Sequence, residues 1–271
     1  LGGTKMEAVV VRISAAPGKA PDQESLEVVT RLRRPTERGL GYQHILDALL
    51  QLVHDTARQA GLAGLPPVGV GMPGSISQRS GLTKNANTTC LNGRPFRADF
   101  VAKLGQPVRF ANDANCFTLS EAVDGAGAGA AVVFGVILGT GVGGGIMVDG
   151  RPLAGANAIA GEWGHNPMPG ECSTLPCYCG RHDCIELYLA GPALAADHRR
   201  ITGTDLPADE ISWRASAGDD ACEASLNRYE SRLARALAQV INILDPDVIV
   251  LGGGLSNIDR LYENVPRLWG A

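Results

Sequence analysis

Gly161–Glu186 reads GEWGHNPMPGECSTLPCYCGRHDCIE. Four cysteines (Cys172, Cys177, Cys179, Cys184) and two histidines (His165, His182) crowd this stretch, with Glu162 and Glu186 near its ends. Thiolate and imidazole form the usual ligand set of Zn²⁺, which is four-coordinate where its part is structural. Cys177, Cys179 and Cys184 can wrap one ion if a further donor arrives from outside their short loop. His165 is the preferred fourth donor, with its second ring nitrogen left to face a ligand; Cys172 and His182 are the alternatives. Reduced cysteines also pack as small apolar groups, but this density in a Gly- and Pro-rich stretch fits a metal better. A site filled by protein ligands keeps no open catalytic position, so the ion is expected to pin a loop.

The totals narrow the classes around that loop. A chain of 271 residues with 45% hydrophobic content has the length for one large domain or two ordinary ones with a real core. A net charge of −4 and the lack of a Lys/Arg cluster argue against a nucleic-acid partner. Seven cysteines, most of them crowded into one stretch, are metal-site arithmetic rather than a disulfide framework, which points to a reducing, cytoplasmic setting. The opening LGGTKMEAVVV has neither the basic nor the apolar region of a secretory leader. Gly125–Val148 carries no charge, yet its glycines split it into two strands rather than one membrane-spanning helix. No membrane partner is expected.

Upstream of the loop, Val132–Leu138 (VVFGVIL) and Gly144–Val148 read as strands joined by Gly139–Gly143 (GTGVG). This is either a flexible hairpin or a tip whose bare N–H groups take phosphate. Asn-Gly would serve a plain turn, and five glycines in GTGVGGG cost chain entropy. Near the start, Leu1–Arg12 reads as two strands around a Gly2-Gly3 turn, with Thr4 and Lys5 following it. That turn is structural or a phosphate cradle. Glu24–Arg33 and Val68–Met72 read as strands, the second running into the Pro73-Gly74 turn. Tyr42–Ala60 has a helical apolar stripe stopped by Gly61. The Asn-rich segment Gly81–Phe96 is a loop, and Arg97–Leu104 a short helix ended by Gly105. Val108–Ala111 is a strand delivering Asn112 and Asp113 to the start of a helix over Ala114–Val123. Ligand groups collect at such strand ends in α/β proteins, while Asp is also a favoured N-cap, so both readings of Asp113 stand.

Downstream, a helix is expected over Asp183–Arg200 and a long core helix over Ser225–Leu244, ended by Asp245-Pro246. Val248–Leu251 reads as a buried strand entering Gly252-Gly253-Gly254, with a last helix from Leu255 whose start can hold a nucleotide. No GxxxxGK[ST] occurs, so a Walker-type site is excluded, and no GxGxxG with an acidic follower supports a dinucleotide fold.

Taken together and in order, these motifs resemble the ROK (repressor, ORF, kinase) family of sugar kinases. LGGTK resembles that family's first phosphate motif, ILGTGVGGG the second, and IVLGGG the adenosine motif; NDAN at Asn112–Asn115 resembles the catalytic motif, and GEWGH with CYCGRHDCIE the zinc-and-sugar motif. The resemblance implies an α/β, actin-like ATPase (ribonuclease H-like) fold of two lobes with an interdomain cleft, the smaller lobe 1–111 and the larger 112–271. It implies ATP-dependent phosphorylation of a hexose, with Asp113 as general base. Gly74, Asn87, Asn112, Asp113, Glu162, His165 and Glu186 would bind the sugar. Gly3, Thr4, Lys5, Thr140, Gly141, Gly143, Gly253 and Gly254 would bind ATP, Mg²⁺ would accompany it, and His165, Cys177, Cys179 and Cys184 would hold structural Zn²⁺.

Within the family, KNANTTCLNGRPF and EWGHNPMP look most like bacterial fructokinases of the manno(fructo)kinase type. Fructose, with mannose beside it, is therefore the expected acceptor, at the 6-hydroxyl. The alternatives are an N-acetylglucosamine kinase, a glucokinase, or a sugar-sensing repressor of the family. A homodimer is expected by likeness. The family carries an aspartate just before LGGT and a returning segment after the position of Ala271, so the sequence is expected to continue at both ends. Asp183 stands where the family has glycine, and Asp tolerates a left-handed backbone better than most residues.

Overall fold

The computed structural model describes residues 1–15 and 24–269. The chain divides into two compact units, Leu1–Asp113 and Ala114–Ala271. The dividing line falls after Asp113, against an expected 111/112.

In the first unit, β1 (Lys5–Ala15) and β2 (Glu24–Pro35) pair antiparallel, from Lys5 opposite Pro35 onward, with an irregularity between Val10 and Val11. Leu1–Gly3 form no strand. They make a tight turn in which the Gly2 N–H donates to the Lys5 carbonyl and the buried Thr36 hydroxyl donates to Gly2 O. The helix α1 (Tyr42–Gln59) buries Ile45, Leu46, Leu49, Leu52 and Ala57, the stripe its sequence spacing requires. Ile45, Leu46, Leu49 and Leu52 meet Met6, Val70, Met72, Phe96 and Phe100 in one core.

Two short parallel strands, β3 (Val68–Met72) and β6 (Val108–Asn112), run in register, so Met72 lies opposite Asn112. Between them lie β4 (Ser75–Ile76), β5 (Thr83–Lys84) and α2 (Phe96–Leu104). The first two pair antiparallel, so Thr83 and Lys84 form a short strand inside the Gly81–Phe96 segment expected to be loop. Gly105 closes α2 in the left-handed conformation.

The second unit is built on a four-stranded sheet. After α3 (Asp113–Asp124) come β7 (Val132–Leu138), β8 (Val142–Val148) and β9 (Arg151–Pro152). Next are α4 (Glu186–Leu189), α5 (Gly191–Thr202), α6 (Ala208–Ser216), α7 (Asp220–Leu244), β10 (Val248–Gly252) and α8 (Arg260–Arg267). The strand order is β10-β7-β8-β9, with β10 parallel to β7.

Alternate residues of β7 serve opposite faces, as the pleat demands. Phe134, Val136 and Leu138 join Leu226, Tyr229, Leu233 and Leu237 of α7 in the main core. Val133, with Met147 and Val250, packs against Phe117 and Ala122 of α3.

Three expectations are corrected here. The hairpin tip is shorter than Gly139–Gly143, because Val142 already pairs with Leu138. The helix expected over Asp183–Arg200 is two helices: Ala190 is extended (ψ 156°), and Pro192 then sits in the first turn of α5, where its missing N–H is tolerated. The last helix does not start at Leu255, since Gly254–Asn257 forms a 3₁₀ turn and α8 begins only at Arg260. No helix among the described residues is long and apolar enough to cross a membrane.

Candidate functional site

The metal loop folds as a set of short turns on top of α7. Trp163–His165 form one turn of 3₁₀ helix, with Trp163 buried edge-to-face on Phe134 at 5.6 Å between ring centroids. Farther along, the Gly180 N–H closes a turn onto Cys177 O (3.0 Å), which folds Cys179 back toward Cys177. The buried Met168 and the N–H groups of Met168 and Ile185, bonded to Asp183 O and Asn166 O, hold the loop's two sides together.

One donor atom from each of His165, Cys177, Cys179 and Cys184 lies within 4.8 Å of every other. Cys179 Sγ is 3.6 Å from Cys184 Sγ, and Cys177 Sγ is 3.7 Å from His165 Nδ1. A tetrahedral ion with bonds of about 2.0–2.3 Å has ligand–ligand edges of roughly 3.5–3.8 Å, so the set fits zinc. Burial, with the neighbouring thiols Cys179 and Cys177, pushes the Cys184 thiol up to about 12. Three thiols gathered this closely ionise together only against a cation. Cys172 and His182 are exposed and stand outside the quartet. The second ring nitrogen of His165, expected to face a ligand, instead lies 3.0 Å from the Tyr178 hydroxyl.

Asp183 has φ 53°, the left-handed backbone its replacement of glycine requires. Its carboxylate also accepts from Tyr188 Oη (2.7 Å) and from the N–H groups of Thr174 and Leu175 (2.9 and 3.0 Å). The Tyr188 hydroxyl and those two N–H groups hold its carboxyl below the usual range. Glu171 ties the loop to α7, accepting from Arg232 Nε at 2.9 Å and Arg235 Nη2 at 3.1 Å.

A cavity of about 880 Å³ opens at the β7–β8 hairpin tip, wholly within the second unit. The parallel strands β7 and β10 each run into a glycine turn, β7 ending at Leu138 before Gly139 and β10 at Gly252, and these turns contribute Gly139, Thr140 and Gly254 to its wall. Gly191 at the start of α5 donates to Gly139 O at 2.8 Å, and Val142 N–H donates to Glu186 Oε2 at 2.9 Å. The hairpin tip is thus held from both sides.

Of the nucleotide residues expected in this unit, Thr140 and Gly254 line the cavity, while Gly141, Gly143 and Gly253 are not among its walls. Packing explains part of the glycine run. A Cβ at Gly144 would sit 2.6 Å from Gly161 O and from Trp163 Cδ1, and one at Gly145 would sit 2.4 Å from Thr118 Oγ1. Gly253 (φ 88°) abuts Leu138 O, which a Cβ would approach to 2.4 Å. These glycines let α3, the Trp163 turn and β10 close on the sheet.

The first unit gathers its own set at the carboxyl ends of β3 and β6. Asn112 Nδ2 donates to Gly74 O at 3.0 Å, and Asp113 follows as the first residue of α3. Gly74 has φ 72°, and a Cβ there would lie 2.3 Å from Lys84 O, so only glycine makes this turn. Asn87 Oδ1 lies 3.2 Å from where a Cβ of Gly3 would be, which brings the glycine turn of LGGT and the Asn-rich loop together. Thr4 and Lys5 are exposed beside them.

Sequence reading missed the cavity wall supplied by α6: Asp209, Ser212, Trp213 and Ser216. The signal was present, since Pro207 precedes two acidic residues and Ile211 and Ala215 recur at helical spacing.

The model of the ROK family matches residues 1–270. An N-acetyl-D-glucosamine kinase of Pectobacterium atrosepticum is 38% identical over 98% of this chain and 86% of its own. An N-acetyl-D-glucosamine kinase of Escherichia coli O127:H6 is 40% identical over 87% of this chain and 80% of its own. The crystal structure of a ROK hexokinase from Thermus thermophilus superposes with a TM-score of 0.76 at 27% identity, covering 99% of this chain and 85% of that one. The fold is the actin-like ATPase fold of this family. The relatives do not carry the expected fructose preference, since both are N-acetyl-D-glucosamine kinases.

Proposed function

Because the chain belongs to the ROK family, we propose that it is a sugar kinase transferring the γ-phosphoryl group of ATP to a hydroxyl of N-acetyl-D-glucosamine, the 6-hydroxyl by preference. The observation that carries this reading is the Glu186–Val142 hydrogen bond, 2.9 Å, which joins the metal loop to the glycine-tipped hairpin beside the cavity. The two relatives at 38% and 40% identity favour the acetylated amino sugar over fructose.

In this reading Asp113 accepts the proton of the attacking hydroxyl. Gly74, Asn87, Asn112, Glu162 and Glu186 bind the sugar, a set of acceptors and donors suited to a neutral polyol, while His165, with its second ring nitrogen on the Tyr178 hydroxyl, serves the metal. Bare N–H groups of Gly3–Lys5, of the tip Thr140-Gly141, and of the turn at Gly253-Gly254 serve the nucleotide, with Gly143 behind the tip. Phosphoryl transfer asks the protein mainly for positioning and charge stabilisation. Mg²⁺ bound with ATP supplies charge neutralisation at the β- and γ-phosphates. Zn²⁺ on His165, Cys177, Cys179 and Cys184 pins the loop that presents Glu162 and Glu186.

The test is kcat/KM for N-acetyl-D-glucosamine, N-acetylmannosamine, glucose, mannose and fructose with ATP and Mg²⁺. N-acetyl-D-glucosamine should lead by at least about tenfold, the discrimination worth ~1.4 kcal/mol. Fructose in the lead would restore the first expectation, and no turnover on any sugar would end the kinase reading.

A further inference from the structure

The cavity of the second unit has one wall that the glycine turns do not explain. Along α6, Asp209, Ser212, Trp213 and Ser216 share the face lining it, while Ile211 and Ala215 are buried on the other. Trp213 is 64% exposed, a large ring left bare although the same helix has a core to pack against. Gly139 and Thr140, at the hairpin tip, and Gly191 form another part of the lining; the N–H groups of Gly139 and Gly191 are bonded to Gly141 O and Gly139 O, which leaves the tip at Thr140 to face the cavity. The remaining cationic residue of the lining, Arg260, is committed elsewhere: it donates to Glu223 and Glu230 and, at 2.9 Å, to Asn227 Oδ1. The cavity therefore joins the glycine-rich hairpin tip to an exposed indole face, with the Arg260 guanidinium already committed.

We propose that Trp213 is the platform on which the nucleobase of the phosphoryl donor stacks, and that it makes a nucleoside triphosphate, rather than an inorganic polyphosphate, the preferred donor. The inference rests on the kinase reading above and deepens it at the donor side. An indole offers a broad π-face, and stacking on an aromatic side chain tolerates any base, so the gain is for having a base at all. An inorganic chain can reach the hairpin tip but has nothing to place on the ring.

The experiment is calorimetric titration of the protein with ADP and with inorganic tripolyphosphate, for the wild type, W213F, W213L and W213A. Trp213→Ala should weaken ADP by about 5–150-fold, the equivalent of ~1–3 kcal/mol for one base on an aromatic ring. Trp213→Phe should stay within about threefold, and Trp213→Leu, which keeps bulk without a π-face, should lose affinity as the alanine variant does. Tripolyphosphate affinity and the KM for sugar should not move. ADP should quench tryptophan emission in the wild type and not in W213F, which retains Trp163 and Trp269.

Wild-type binding of ADP with W213L and W213A both within twofold of it would overturn the platform and leave the kinase reading intact. A wild type that binds no nucleotide would overturn both. Should the alanine variant fail to fold, the leucine and phenylalanine pair decides alone.

Discussion

Glu186 Oε2 accepts the Val142 N–H at 2.9 Å, so the carboxylate that follows the last metal-loop cysteine also fixes the first residue after the hairpin tip. Bound sugar and bound nucleotide phosphate thereby act on one side chain in our reading. Glu186→Gln keeps an acceptor for Val142 and should raise the KM for sugar roughly tenfold with that for ATP little changed. Glu186→Ala frees the hairpin as well and should raise both, since a hydrogen bond to a charged group is worth about 1.5–3 kcal/mol. Equal ATP KM values in the two variants would show that the bond does not hold the tip.

Asp113 opens α3 at the carboxyl end of β6, next to Asn112. If it is the general base, Asp113→Asn should lower kcat by about 10²–10⁴-fold. Sugar affinity by calorimetry should stay within a few-fold, because the asparagine keeps the hydrogen-bonding shape. A kcat near that of the parent would return Asp113 to the role of helix cap.

The His165, Cys177, Cys179 and Cys184 quartet should carry one zinc per chain by elemental analysis. Cys179→Ser should lose it and lower Tm, and His165→Ala should do the same, whereas Cys172→Ser and His182→Ala should retain the metal. Metal retained in the Cys179 variant would move the site elsewhere.

Asp197 lies between Arg200, Arg228 and Arg232 and is largely buried. Burial alone would raise its pKa, but pairing with Arg200 and Arg232 outweighs that and the carboxyl is held low; Glu171 is held low by Arg232 and Arg235 in the same way. A depressed folded pKa gives stability that is present above the unfolded value, about 3.9 for Asp, and is lost as pH falls through the folded value. Asp197→Asn should therefore lower stability by roughly 1–3 kcal/mol at neutral pH. Thermal unfolding from pH 7 to 3 should show the gap between the variant and the wild type closing below about pH 4. A gap that stays constant through acid would remove the ion pairs as its cause.

Gly253 combines φ 88° with backbone contact to Leu138. Gly253→Ala should cost about 1–3 kcal/mol through strain and weaken ADP binding by displacing the turn at Gly254. Gly129, also at positive φ but with nothing within 4 Å of a Cβ, should tolerate alanine better. Denaturant melts of the two variants compare a clash with open space.

Much of this architecture was legible where one signal dominated. Val68–Met72 and Val132–Leu138 are apolar runs bounded by turn residues, and they form strands with those limits. The stripe from Leu226 to Leu244 marked α7, though its start lies earlier: Asp219 accepts from the Ala221 and Cys222 N–H groups and caps it at Asp220. The metal quartet was legible because thiol spacing in a short loop leaves few ways to fold.

What escaped were features set by distant partners. The glycines of GTGVGGG read as a flexible hairpin or a phosphate tip, whereas the bareness of Gly144 and Gly145, in the strand after it, serves close approach by Trp163 and Thr118, residues far away in sequence. The reach of Tyr178 to His165 Nε2 depends on a turn no periodicity announces. Sugar preference was not legible because fructose and its relatives differ in groups that the same acceptors and donors can contact.

The pairing of β10 with β7 sets Val248 beside Val133, and Asp247 bonds Val132 on both sides of its backbone. During synthesis β7 emerges long before its partner, so its free edge stays uncovered while most of this unit is made. A ribosome that stalls, or a nonsense mutation, before Val248 would release a chain with an open apolar strand edge, the kind that recruits other chains. For this protein, premature termination is thus a hazard of aggregation as well as a loss of the cavity at the hairpin tip.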